Sequence, residues 1–149
     1  MRGRTLAVLL TLLLAVALAG QSVRWRDRLT ASRLLGEAEA LSLSAVRSGR
    51  VPAGMVAANL QTLHRAALLD PVEVGIPNAL GNQYLFLSRF DLAIQSFAQA
   101  QALEPRPEGY FNLGKALWST GRTEEAQRDF DLAVRIDPWL AGKVALVTR

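Results

Sequence analysis

"GRTEEAQRDFDLAVRIDP" at residues 121–138 repeats the pattern of an earlier stretch of the same chain, "SRFDLAIQSFAQAQALEP" at residues 88–105. Five residues are identical between the two stretches, and the members of each pair stand 33 positions apart. The pairs are Arg89 and Arg122, Ala93 and Ala126, Phe97 and Phe130, Ala100 and Ala133, and Pro105 and Pro138. A period of this length is typical of stacked repeats, in which each unit buries its apolar face against its neighbours.

The unit at residues 107–138 divides at Gly121 into two amphipathic halves. In both halves apolar residues recur at the three- and four-residue spacing of one helix face. They are Tyr110, Leu113, Leu117, Ala126, Phe130 and Ala133. Pro107 suits the first turn of the first helix, and Asp137-Pro138 ends the second helix. The sequence therefore predicts a hairpin of two helices.

Residues 107–138 resemble a tetratricopeptide repeat. The signature positions of that family are met by Tyr110, Leu113, Gly114, Leu117, Ala126, Phe130, Ala133 and Pro138. The copy at residues 74–105 departs from the signature at Pro77 and at Ser88, which stands where a turn glycine is expected. The resemblance implies an all-α fold of stacked antiparallel helical hairpins, an α-solenoid. The apolar run at the front of the chain predicts that an N-terminal hydrophobic helix precedes it.

A third, degraded copy lies upstream, because "LLDP" at residues 68–71 aligns with "ALEP" and "RIDP". Leu63 and Ala66 then take the places of Phe97 and Ala100, while Asn59 replaces an alanine. Ahead of them, Ala38, Leu41-Ser42 and Ala45 match the first helix, with a long turn through "SGRVPAG" at residues 48–54. The helical domain at 24–149 is predicted to comprise an atypical hairpin (24–71), repeats at 74–105 and 107–138, and a closing helix (139–149), with a strand through "VALVT" as the alternative to that helix.

The N-terminal residues 1–23 are predicted to form a targeting segment, either a signal anchor or a signal peptide. Arg2 and Arg4 precede an apolar run from Leu6 to Ala19. An uncleaved anchor predicts a chain held in the membrane through residues 5–23, with the repeat domain outside the cytoplasm. The alternative is a cleaved signal, which would release the repeat domain into the periplasm.

The net charge of +4 does not indicate nucleic-acid binding, because the charge is unevenly distributed. Residues 1–50 carry eight arginines against three acidic residues, whereas residues 51–149 carry nine basic and ten acidic residues. The chain has no cysteine and a single histidine, His64, in the middle of a predicted helix. No motif for catalysis, metal binding, a cofactor or a small-molecule substrate is present, so we predict a protein that is not an enzyme.

The resemblance to the repeat family implies a concave groove lined by the first helix of each hairpin. By that resemblance the groove residues are Asn78, Asn82, Leu85, Phe86, Phe111, Asn112, Lys115, Trp118 and Ser119. Amides and an ammonium group suit a peptide backbone or carboxylate, and Phe86 and Trp118 suit the role of interface anchors. The alternative interpretation is that Asn82 and Asn112 fix the geometry between helices.

These observations predict a protein–protein interaction scaffold or adaptor of bacterial type that helps to assemble an envelope or membrane complex. One alternative is a structural module that self-associates or packs on a membrane partner, such as a protein of cell-surface polysaccharide assembly. A secreted, soluble peptide-binding module is the other alternative.

Overall fold

The computed structural model describes the backbone of residues 2–52 and 54–149, and the side chains of residues 10–52 and 54–149. Within this part of the chain all regular structure is helical, and the predicted all-α fold is confirmed. The α-helices are α1 (Arg2–Ser48), α2 (Met55–Leu69), α3 (Gly75–Phe86), α4 (Phe90–Leu103), α5 (Pro107–Ser119), α6 (Thr123–Ile136) and α7 (Ala141–Val147). A short 3-10 helix, Pro138–Leu140, joins α6 to α7, and the strand considered for "VALVT" does not form.

The helices pair in chain order, so that α1 packs on α2, α3 on α4, and α5 on α6. These three hairpins stack through contacts of α2 with α3 and of α4 with α5. The first helices α1 and α3 also contact each other directly. The result is an array in which each hairpin packs on the next one.

A phenylalanine packed against a glycine forms the seam of each of the two regular hairpins. A Cβ added to Gly81 would lie 2.5 Å from the ring of Phe97, and one added to Gly114 would lie 2.7 Å from the ring of Phe130. Both phenylalanine side chains are fully buried. The two helices of a hairpin can approach this closely only because the glycine leaves space for the ring.

The N-terminal hairpin replaces this apolar seam with hydrogen bonds. Asn59 is buried, and its Nδ2 donates to Ala38 O at 3.2 Å and to Ser42 Oγ at 3.1 Å. Leu63 and Ala66 continue the buried face of α2 below it. The turn that joins α1 to α2 includes Ala53, which lies outside the described residues.

The structure corrects the prediction of a membrane span. None of the helices, within the residues described, has the length and apolar character needed to cross a bilayer. The side chains of residues 1–9 lie outside the described residues, and from Leu10 the apolar run ends at Ala19. Arg24 and Arg26 follow in the same helix, whereas a span needs about 20 predominantly apolar residues. The prediction of a chain anchored through residues 5–23 is therefore wrong, and the localisation inferred from it is withdrawn.

The turns inside the two regular hairpins share a left-handed residue but differ in its identity. Ser88 has φ +54° and Gly121 has φ +78°. A left-handed conformation costs a residue with a Cβ about 1–2 kcal/mol, whereas glycine adopts it freely. Ser88 therefore occupies the glycine position of its turn at a cost in stability.

We expect Ser88→Gly to raise the free energy of unfolding by about 1 kcal/mol. The matched change Gly121→Ala should lower it by about 1 kcal/mol, since it places a Cβ at the equivalent left-handed position. Urea unfolding of both variants, followed by circular dichroism, measures the two shifts. Shifts of the same sign would contradict the argument from backbone conformation.

Candidate functional site

An open groove of about 470 Å³ lies between the first helices of the three hairpins. Helices α1 and α3 supply most of its lining, and α5 contributes one residue. The lining residues are Glu39, Ser42, Leu43 and Val46 from α1, Ala79, Asn82, Gln83, Leu85 and Phe86 from α3, and Lys115 from α5. This groove is the candidate functional site.

The groove exposes large apolar side chains that no other part of the described chain covers. Leu43, Val46 and Phe86 are all exposed in the structure, and Leu85 is half-buried. Exposed apolar surface within a concave site favours binding, because its removal from water contributes about 25 cal/mol per Å². The site therefore offers a partner mainly hydrophobic contact.

Opposite charges stand on the two sides of the groove. Glu39 lies on α1 and Lys115 on α5, so a carboxylate and an ammonium group face the site from different helices. The Lys115 Nζ also lies 5.9 Å from the centre of the Phe111 ring, within range of a cation–π interaction. An exposed amide, Asn82, adds hydrogen-bonding capacity between the two charges. These polar groups are suited to orient a bound segment, whereas the apolar contacts would contribute most of its affinity.

Four of the nine residues predicted for the groove lie in it, namely Asn82, Leu85, Phe86 and Lys115. Phe111 and Trp118 instead pack on buried Phe130, in the cluster that α7 covers. The centre of the Phe130 ring lies 5.9 Å from that of Phe111 and 6.5 Å from that of Trp118. Asn78 and Asn112 are half-buried, and Ser119 is exposed and donates its hydroxyl to Lys115 O.

The residues that the sequence did not assign to the groove come mainly from α1. If Ser42 is aligned with Gly81 and Gly114, then Leu43 takes the place of Asn82 and Lys115. The same alignment equates Val46 with Leu85 and Trp118, and Glu39 with Asn78 and Phe111. The match of Leu41-Ser42 to the repeats sets the register of α1. That register could have predicted that Glu39, Leu43 and Val46 line the groove.

His64 lies away from the groove, between α2 and α3. Its Nε2 is 3.2 Å from the Tyr84 hydroxyl, and the histidine is exposed. No group of three or more His, Asp or Glu side chains in the described residues is arranged to hold a metal ion.

Comparison with known families matches residues 107–138 to a tetratricopeptide repeat. Part of the chain is similar to the solved structure "MamA MSR-1 C2", with a TM-score of 0.57 and 27% sequence identity. The match covers 72% of this chain and 59% of the other, so the present chain spans little more than half of that protein. Among curated proteins no match was found.

The family comparison covers one of the three helices that line the groove. Repeats of this type generally bind protein partners, and no catalytic family is indicated. The matched segment includes α5, whose Lys115 borders the groove. The matched repeat therefore contributes one residue to the lining of the groove.

Proposed function

We propose that the chain is a non-enzymatic scaffold that holds a segment of another protein in the groove between α1, α3 and α5. The observation that carries the proposal is the exposed apolar lining of this groove, formed by Leu43, Val46 and Phe86 and bordered by charges of opposite sign. Apolar anchors within a polar rim are the arrangement of protein–protein interfaces.

A polypeptide fits this site better than a small molecule. Small-molecule pockets surround most of the ligand surface, whereas this groove is open along its length and bounded by three helices. Its residues come from three different helices, so successive side chains of a bound segment could meet α1, α3 and α5.

Self-association is a second candidate function, favoured by apolar residues outside the groove. Trp139 is 91% exposed in the 3-10 helix that follows the last repeat, and Leu68 is 86% exposed at the end of α2. Tryptophan is enriched among the residues that contribute most of the binding energy at protein interfaces. A copy of the chain that assembles through these residues would leave the groove free.

We expect Phe86→Asp to weaken capture of the partner at least about tenfold, because it removes an apolar anchor and adds an unpaired charge to the groove. The full chain serves as bait in affinity capture, and mass spectrometry quantifies the retained proteins. Leu92→Asp is the matched control, because Leu92 is about as exposed as Phe86 but lies on α4 outside the groove.

The two candidate functions give different results in this experiment. A groove partner is lost with Phe86→Asp and retained with Leu92→Asp. Capture of the chain itself, unaffected by Phe86→Asp but lost with Trp139→Asp, would replace the scaffold proposal with self-association. Equal retention by all variants would contradict both.

A further inference from the structure

The first part of helix α1 extends beyond the hairpin that the rest of this helix forms with α2. Every residue from Leu10 to Arg26 is exposed, and the first fully buried residue of the helix is Ala31. At about 1.5 Å per residue, this projecting segment, residues 10–26, is about 25 Å long. The packing of the three hairpins therefore leaves a large part of α1 uncovered.

The projecting segment exposes large apolar side chains on opposite sides of the helix. Leu12 and Leu14 are 58% and 61% exposed, and two positions along an α-helix are separated by about 200° around its axis. Leu10 and Leu18 lie on the side of Leu14, and Val16 lies on the side of Leu12, because residues four positions apart share a face. All three are also exposed. A helix that is apolar on opposite sides is normally buried by neighbours on both of them.

One narrow side of the projecting segment differs from the others. Thr11, Ala15 and Ala19 follow one another at a spacing of four residues, so they share this side of the helix. Their side chains are smaller than the leucines around them, and one of them is polar. This is the side that loses least by facing water when the other sides are covered.

A single neighbouring helix covers too little of this surface. A cylinder about 25 Å long and about 10 Å wide has a lateral area of about 800 Å². A helix buries a stripe of roughly 100° against one neighbour, which is about 220 Å² of this area. Stable interfaces bury about 800 Å² per partner. One neighbour would also leave either Leu12 or Leu14 in water, so both sides are covered only by more than one helix.

We propose that the projecting segments of more than two copies of this chain associate side by side in a helical bundle. Segments of other copies are suitable neighbours because they present the same apolar sides over the same length. In the bundle, Leu12 and Leu14 of one copy contact different neighbours, and the side that carries Ala15 faces water. The inference does not rest on the proposed function, because the part of α1 that lines the groove begins at Glu39.

Sedimentation velocity of the full chain over a range of concentrations measures the association. We expect the wild type to sediment mainly as a species of more than two chains and to dissociate on dilution. Leu12→Lys and Leu14→Lys each place an ammonium group in an apolar contact. Each single change should therefore raise the concentration of half-association at least about tenfold. Both side chains are exposed in the single chain, so the hairpins should remain folded by circular dichroism.

Ala15→Lys is the matched control, because it adds the same charge to the same segment on the side that faces water in the bundle. It should change the concentration of half-association by less than about twofold. Dissociation by Ala15→Lys, with Leu12→Lys and Leu14→Lys still associated, would mean that the segments pack through their small residues, and the inference would be wrong. Loss of association with only one of the two leucine changes would indicate a contact between two chains and would also overturn it.

Other occupants of the projecting segment give different results. A wild-type chain that stays monomeric at every concentration overturns the inference, whether or not that monomer binds phosphatidylcholine vesicles. Association that is lost with Trp139→Asp but kept with Leu14→Lys would assign assembly to the 3-10 helix after α6 and overturn the bundle. The groove is tested separately, since Phe86 lies on α3 and Phe86→Asp should leave the association unchanged.

Discussion

Phe97→Ala is expected to lower the free energy of unfolding by about 3–5 kcal/mol. The Phe97 side chain is 0% exposed and packs with Ala93 and Ala116, in a cluster shared by α3, α4 and α5. Truncation removes the buried ring and leaves a cavity beside Gly81, which has no side chain to fill it. Because domains of this size are stable by only about 5–15 kcal/mol, the loss is a large part of the total.

Phe86→Ala is the matched control for this prediction. Phe86 is the same residue type in the neighbouring helix α3, but it is 42% exposed. Its truncation should cost less than about 1 kcal/mol, since much of the ring is already in contact with water. Urea unfolding followed by circular dichroism measures both variants. Equal losses would show that the Phe97 ring is not the centre of the array.

Gly114→Ala is expected to lower the free energy of unfolding by about 1–3 kcal/mol, although alanine is the better helix former. The added Cβ would lie 2.7 Å from two ring carbons of Phe130 and 3.2 Å from Ala126 O. The Cβ is fixed by the backbone, so relief requires either the ring or one of the two helices to move. The seam of the hairpin would then open around the substitution.

Gly36→Ala separates this steric effect from helix propensity. Gly36 also lies inside a helix, α1, but a Cβ there would meet nothing within 4 Å. This change should raise the free energy of unfolding by about 0.5–1 kcal/mol. The double variant Gly114→Ala, Phe130→Leu should lose less free energy of unfolding than the sum of the two single variants, since the two side chains compete for one space. Losses that simply add would contradict direct contact between them.

Helical spacing predicted most of the fold because it depends on neighbours in the chain. The recurrence of Phe97 at Phe130 identified the repeating unit, and α3 to α6 lie within the two repeats so defined. The apolar run at the N terminus was misleading because it too was judged from local sequence alone. A local count of apolar residues suggested a membrane span, whereas the described helix continues through Arg24 and Arg26 without one.

The groove could be predicted only in part from the sequence. Asn82 and Lys115 were assigned to it from the register of the repeat, and both line it. Trp118 occupies the same position in its repeat as Leu85, but it does not line the groove. Its ring packs on Phe130 in the cluster that α7 covers. The sequence position was the same in both repeats, and the neighbouring helix determined whether the side chain reached the groove.

The sequence by itself determined the helical hairpins and their repetition, because a period of 33 residues and the glycine, alanine and phenylalanine positions specify them locally. Only the tertiary structure decided which side chains meet across hairpins. Gln83 and Ser42 are 41 positions apart in the chain, and their hydrogen bond forms because α1 and α3 become neighbours when the array stacks. Hydrogen bonds between distant residues follow from this packing, since no local pattern records which polar groups the stacked helices will bring together.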